Sequence, residues 1–177
     1  ITCPVRVPLS SPFTMPITIS SNAPVSSSMK TLVVGLGNPI LSDDSVGLRI
    51  AAKIRETVNK KNVTITESEL SGLTLLEFFC DYDRVIIIDA IVTPGGSPGN
   101  IHVLTPASLE RSRHVESTHG LNFVESIEMC RMLGLKLPKE IIIFAVEAMD
   151  VTNFSEELTP PVAAAVAACA ERVIDIL

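Results

Sequence analysis

Short apolar runs that recur from residue 31 onward predict the β-strands of this chain. A run with few polar interruptions is typical of a strand that is covered on both faces of a parallel sheet. Three segments fit this description: Thr31–Leu36, Arg84–Asp89 and Glu140–Val146. Two further strands are expected over Val63–Thr66 and Asn100–Leu104. The segment that starts at Asn100 alternates apolar and polar positions, so we expect it at the edge of the sheet.

Helices are predicted between these strands from apolar residues that repeat every three to four positions. In Ser45–Val58 the apolar residues stand four apart and form one helix face. Further helices are expected over Leu70–Cys80, over Thr118–Leu133, and after Thr159, where an N-cap precedes two prolines. This order predicts an α/β fold: a three-layer α/β/α sandwich around a mostly parallel, twisted sheet of about five strands.

The first 28 residues differ in composition from the rest of the chain. They are rich in proline, serine and threonine, and Arg6 is their only charged residue. Regularly spaced prolines are incompatible with a helix, and the stretch lacks the apolar core of a signal peptide. We interpret residues 1–28 as an extension that is upstream of the domain or introduced in cloning, with a genuine arm or targeting segment as the alternative. Residues 29–177 are expected to form a single domain.

Composition and charge exclude several classes of function. The net charge is −6, and no basic cluster is longer than Lys60-Lys61, which argues against a nucleic-acid partner. No apolar stretch approaches the roughly 20 residues of a membrane helix, so no membrane span is expected. The four cysteines lack metal-ligand spacing, which favours reduced thiols in a cytoplasmic protein. They are Cys3, Cys80, Cys130 and Cys169.

Candidate chemistry lies just after the predicted strands, because ligands of an open parallel sheet bind at the carboxyl ends of its strands. Asp44 follows the first strand, Asp89 ends the third, and His119 begins a helix. If the first and third strands are neighbours, Asp44 and Asp89 face one crevice. Two carboxylates and an imidazole suit a first-row divalent metal. The competing interpretations are structural: Asp43 or Asp44 as a helix cap, and His119 as an ordinary helix residue.

Other interpretations are weaker. The turn that begins at Gly35 lacks the third glycine of a dinucleotide fingerprint, and the two aspartates after it would repel a pyrophosphate. No serine-nucleophile motif is present, and no cysteine stands near a histidine in a context that suggests catalysis. His102 and His114 are expected to be solvated surface residues.

Four motifs together resemble the hydrogenase maturation protease family. They are Val-Val-Gly-Leu-Gly-Asn-Pro-Ile-Leu-Ser-Asp-Asp-Ser-Val-Gly at 33–47, Ile-Asp-Ala-Ile at 88–91, Thr-His-Gly-Leu at 118–121, and Leu-Thr-Pro-Pro-Val at 158–162. The resemblance implies an aspartyl-type endopeptidase that trims the C-terminus of the large-subunit precursor of a nickel–iron hydrogenase. It also implies that Asp44, Asp89 and His119 are the catalytic, metal-binding residues.

The same resemblance implies that nickel is supplied by the substrate precursor and that no organic cofactor is needed. The partner is then the large-subunit precursor, bound by a monomer or in a transient complex. Ser45 stands where the family commonly has glycine, and because serine is an acceptable N-cap we expect only a small change in the turn.

Two alternatives share part of this pattern. Peptidyl-tRNA hydrolase resembles this chain in a strand followed by Gly-Leu-Gly-Asn-Pro, but its His-Asn pair is replaced here by Asp43-Asp44, and an acidic surface would repel tRNA. The other alternative is a noncatalytic module of the same fold that binds the metal or the precursor without shortening it.

Overall fold

The computed structural model describes residues 29–69, 79–111 and 121–177. In these residues a five-stranded sheet has the strand order β2-β1-β3-β5-β4. Four strands are parallel, and β4 runs antiparallel to β5 at one edge. This confirms the predicted α/β class and the edge position of the fourth strand. The strands are β1 (Thr31–Leu36), β2 (Val63–Ser68), β3 (Arg84–Ile91), β4 (Ile101–Leu104) and β5 (Glu140–Glu147).

The helices of the described residues are α1 (Val46–Thr57), α2 (Pro106–Arg111), α3 (Leu121–Met132) and α4 (Pro160–Ile174), with a 3-10 turn at Ser42–Ser45. None of these helices is long and apolar enough to cross a membrane. Three predicted segments lie wholly or partly outside the described residues: the extension 1–28, most of the helix Leu70–Cys80, and the start of the helix at Thr118.

Helix α2 was not predicted, because it is too short to show a repeat. Its start is held by reciprocal hydrogen bonds. The Thr105 backbone N–H donates to Ser108 Oγ over 2.8 Å, and the Ser108 N–H donates to Thr105 Oγ1 over 3.3 Å. Pro106 occupies the first helical position, where a missing N–H costs nothing. The combination of a polar cap and a proline was the only local signal for this helix.

Two apolar clusters, one on each face of the sheet, produce the layers. In β3, Ile86 and Ile88 belong to the cluster that includes residues of α1 and α4. Val85 and Ile87 belong to the other cluster, which includes Ile127 of α3. These β3 side chains are at most 3% exposed, so the strand is buried on both faces, as its uninterrupted apolar run predicted.

The chain changes direction between β1 and β3. From β1 it crosses to β2 on one side and then returns to β3 on the other, which separates the connections at the carboxyl ends of β1 and β3 and leaves a crevice. Strand β3 was expected to end at Asp89, and this is wrong. It continues to Ile91, because β5 supplies pairing partners up to Glu147, whereas the pairing with β1 stops at Ile88. Asp89 is therefore the first residue of β3 beyond its pairing with β1.

Candidate functional site

The turn after β1 packs directly onto the ends of two strands. A Cβ atom on Gly47 would lie 2.3 Å from the carbonyl oxygens of Leu36 and Ile88, so only glycine allows α1 to start this close to β1 and β3. A Cβ on Gly37 would lie 2.0 Å from the Asp44 carbonyl oxygen. The glycines of this segment therefore serve close backbone packing, and they bring the 3-10 turn against the carboxyl edge of the sheet.

Asp44 lies in this turn and is 1% exposed. Its Oδ2 accepts a hydrogen bond of 2.8 Å from the backbone N–H of Asn38. Because an ionised carboxylate loses its hydration when it is buried, such donors are required to keep it charged. The neighbouring Ser45 occupies the N-cap position of α1, but its hydroxyl makes no capping hydrogen bond and donates to the Ser42 carbonyl oxygen at 2.7 Å.

Asp89 lies on the adjacent strand and is 5% exposed. Its Oδ1 accepts a 2.8 Å hydrogen bond from the Ala90 backbone N–H. Strands β1 and β3 are indeed neighbours, so the structure places Asp44, in the turn after β1, and Asp89, near the end of β3, at the same edge of the sheet. His119, the third predicted site residue, lies outside the described residues, as does His114. Within the described ranges no three His, Cys, Asp or Glu side chains form a metal-binding group.

Asp43 was weighed as a cap of α1, and the structure shows a different role. Its Oδ2 accepts hydrogen bonds from the backbone N–H groups of Met149 and Asp150, at 2.9 and 3.0 Å. The backbone N–H of Thr159 donates to Oδ1 at 2.7 Å, and the Thr159 hydroxyl donates to Oδ2 at 2.8 Å. Thr159 precedes α4 as predicted, with prolines in the first turn, but its hydroxyl does not cap the helix. Asp43 thus joins the turn after β1 to the loop after β5.

Glu147, at the end of β5, was missed by the sequence analysis. It is 2% exposed, and both its oxygens accept hydrogen bonds from Thr93, from the backbone N–H at 2.6 Å and from the hydroxyl at 2.9 Å. His102 Nε2 lies 3.3 Å from Glu147 Oε2, and the His102 side chain is only 25% exposed, so its prediction as a solvated residue is wrong. An acid directly after an apolar run was the available signal, as it was for Asp89.

Shifted pKa values include those of one loop carboxylate and two thiols. The side-chain hydrogen bond from Asn153 lowers the pKa of Asp150 to about 2, with further backbone bonds from Thr152 and Asn153. Burial raises the pKa of the Cys169 thiol to about 12 and also raises that of Cys130. These two thiols are buried and free, as predicted for core cysteines, and Cys80 is half-buried. A protonated, buried thiol is a poor nucleophile.

Comparisons with known proteins identify the family. Residues 48–176 match the family model "HycI: Hydrogenase maturation protease". The chain is 30% identical over 136 residues to the hydrogenase expression/formation protein HupD of Bradyrhizobium diazoefficiens, which covers 75% of this chain and 70% of the relative. It is 28% identical to the hydrogenase 2 maturation protease of Escherichia coli K12, over 84% of this chain and 91% of the relative.

A solved structure agrees with this result. The hydrogenase maturating endopeptidase HybD from E. coli superimposes with a TM-score of 0.70 at 29% identity, over 82% of this chain and 90% of that chain. The sequence and the overall fold of this chain are thus both similar to those of hydrogenase maturation proteins. This chain belongs to the hydrogenase maturation protease family.

Proposed function

We propose that this chain removes the C-terminal peptide from the nickel-loaded large-subunit precursor of a nickel–iron hydrogenase. Membership of the maturation protease family supports peptide-bond hydrolysis, and the relatives from E. coli are a hydrogenase 2 maturation protease and a hydrogenase maturating endopeptidase. The observation that carries the proposal is the burial of two carboxylates at the carboxyl edge of the sheet, Asp44 in the turn after β1 and Asp89 near the end of the neighbouring strand β3.

The donor set suits a metal that arrives with the substrate. Carboxylate oxygens from Asp44 and Asp89, together with an imidazole from His119, form a mixed oxygen and nitrogen set that fits a first-row divalent ion such as nickel. Three protein ligands leave further coordination positions open, which the ligands of the precursor fill. In this proposal the nickel belongs to the precursor, and the protease detects that it has been inserted.

Hydrolysis adds one water across one peptide bond. The water oxygen bonds to the carbonyl carbon, the C–N bond breaks, and a proton is delivered to the leaving amine. Nickel promotes this step either by polarising the carbonyl or by activating the water, and a carboxylate accepts the proton of the water. Both routes place the reaction at Asp44 and Asp89, and they differ in whether the metal contacts the carbonyl or the water.

The proposal also covers the cofactor, the cellular compartment and the oligomeric state. The protein works without an organic cofactor, in the cytoplasm, and as a monomer that forms a transient complex with the precursor. The buried thiols of Cys130 and Cys169 suit a reducing compartment, and the net charge of −6 disfavours a nucleic-acid partner.

The test is the intact mass of a cognate large-subunit precursor before and after incubation with this protein, in nickel-loaded and nickel-free form. Loss of a C-terminal peptide from the loaded form alone is expected. Loss from both forms would contradict the nickel requirement while leaving the peptidase activity in place. An unchanged mass of the loaded precursor would contradict the protease proposal and favour the noncatalytic binding module.

A further inference from the structure

We infer that Asp43 is a positioning residue, which fixes the catalytic carboxylate of Asp44 by fastening its turn to the loop 149–159. This inference rests on the proposed function of Asp44. The two aspartates are adjacent in sequence and equally buried, at 0% and 1% exposure, but their carboxylates have different surroundings. Asp43 is bonded to a distant part of the chain, whereas Asp44 accepts a hydrogen bond within its own turn.

The carboxylate of Asp43 is held by four hydrogen bonds from the protein. A carboxylate offers about four lone-pair positions. Asp43 accepts three backbone hydrogen bonds, from Met149, Asp150 and Thr159, and one from the Thr159 hydroxyl. Oδ2 accepts three of these bonds and Oδ1 accepts the fourth, so both oxygens of Asp43 are held by the loop and the residue is a structural anchor of the turn.

The backbones of the two segments are joined as well. Ser42 N–H donates to the Ser155 carbonyl oxygen at 2.7 Å, Asp43 N–H donates to that of Asp150 at 3.0 Å, and Leu41 forms a parallel bridge with Ser155. Ser42 has a φ of +45°, which a residue with a side chain adopts only when its surroundings enforce it. The loop 149–159 supplies those surroundings, so the shape of the turn depends on contacts more than 100 residues away in the sequence.

The position of Asp44 depends on these contacts between its turn and the loop 149–159. Its Oδ2 is placed against the Asn38 N–H, and a shift of the turn would lengthen that 2.8 Å hydrogen bond. The Asn38 amide therefore reports the position of Asp44 independently of cleavage. If Asp43 only stabilised the fold, its loss would free the amides of the loop 149–159 without changing that of Asn38.

The test compares the variants Asp43→Asn and Thr159→Val with a matched control, Ile54→Val. Asp43→Asn keeps the shape but replaces one acceptor oxygen by an amino group, which faces N–H donors. Thr159→Val removes only the hydroxyl donor. Ile54 is buried near the C-terminal end of α1, away from the 3-10 turn Ser42–Ser45. Its replacement by valine removes one buried methyl group and is expected to lower the free energy of unfolding. The readouts are kcat and KM for precursor cleavage, and amide hydrogen exchange at Asn38.

We expect Asp43→Asn to lower kcat by at least about tenfold with KM nearly unchanged, and to accelerate exchange at Asn38, because small displacements of reacting groups are costly. Thr159→Val should show the same two effects more weakly, and it serves as the decisive variant if Asp43→Asn does not fold. Ile54→Val should lower the unfolding midpoint and leave both readouts unchanged.

The inference is overturned if the loop amides of Met149 and Asp150 lose protection while Asn38 exchange and kcat stay at wild-type values. A wild-type protein that does not cleave the loaded precursor overturns the proposed function instead. Exchange at Asn38 would then still decide whether Asp43 fixes the turn that carries Asp44.

Discussion

Strand β5 begins and ends with a glutamate, and the first of these side chains is exposed whereas the second is buried. At the amino edge of the sheet, the Glu140 side chain is 51% exposed and lies 2.9 Å from Arg84 Nε. At the carboxyl edge, Glu147 is 2% exposed and accepts hydrogen bonds from Thr93. The amino edge also carries Asp83, which pairs with an exposed lysine, Lys139, at 3.3 Å.

The two edges of the sheet thus differ in whether their carboxylates are buried or exposed. Exposed ion pairs keep their water and contribute little to stability, whereas a buried carboxylate must be supplied with donors. The buried carboxylates among the described residues all lie at the carboxyl edge: Asp43, Asp44, Asp89 and Glu147. Burial of charge at one edge is typical of a functional site, and here it coincides with the position of the crevice between β1 and β3.

The largest effect is expected from neutralising the site itself. Asp44→Asn or Asp89→Asn should lower the rate of precursor cleavage by more than about a hundredfold, because each removes a charged ligand or proton acceptor. His119→Ala should do the same according to the family resemblance. Glu140→Gln, at the opposite edge, is the control and should retain activity. Rates are measured by release of the C-terminal peptide, with circular dichroism as the check on folding, and wild-type cleavage by Asp44→Asn or Asp89→Asn would contradict the site.

A smaller effect, on stability, is expected from the two glutamates of β5. Glu147→Ala should lower the free energy of unfolding by about 2 kcal/mol, because it removes the acceptor of the half-buried Thr93 N–H and hydroxyl from the interior of the edge. Glu140→Ala should lower it by less than about 1 kcal/mol, since it breaks a partly exposed ion pair. Urea unfolding of both variants measures the difference. Equal decreases in the free energy of unfolding would contradict the idea that the buried glutamate contributes more to stability than the exposed one.

The smallest effect concerns acid pH and the loop after β5. The pKa of Asp150 is lowered from 3.8 to about 2, so the folded state favours its charged form. This contribution is complete above pH 3.8 and is lost as the pH falls through about 2. The variant Asp150→Asn should therefore be less stable than wild type near neutral pH, and the two unfolding midpoints should converge toward pH 2. A difference that is independent of pH would show that the carboxylate charge of Asp150 is not what stabilises the loop.

The sequence predicted the helices and strands that have a clear local pattern of apolar and polar residues. Continuous apolar runs marked β1, β3 and β5, alternation marked β4, and the four-residue spacing marked α1, because burial on two faces or on one face is reflected directly in residue order. The placement of Asp44 and Asp89 at one edge also followed, once β1 and β3 were taken as neighbours.

What the sequence did not predict depends on contacts between distant residues. The partners of Asp43 lie more than 100 positions away, so its local position next to a helix favoured a cap that does not form. The extension of β3 beyond Asp89 depends on the length of β5. His102 resembles a surface residue until β4 pairs with β5 and brings it to Glu147.

The central claim is that Asp89 acts through the nickel of the substrate. It is tested most directly by initial rates of peptide release in four combinations: wild type and Asp89→Asn, each with nickel-loaded and nickel-free precursor. We predict rapid release only for wild type with the loaded precursor, and the same low rate in the other three, because removing either partner removes the one interaction. The contradicting result is that Asp89→Asn lowers the initial rate of peptide release by the same factor with both precursors, which would show that Asp89 and nickel act independently.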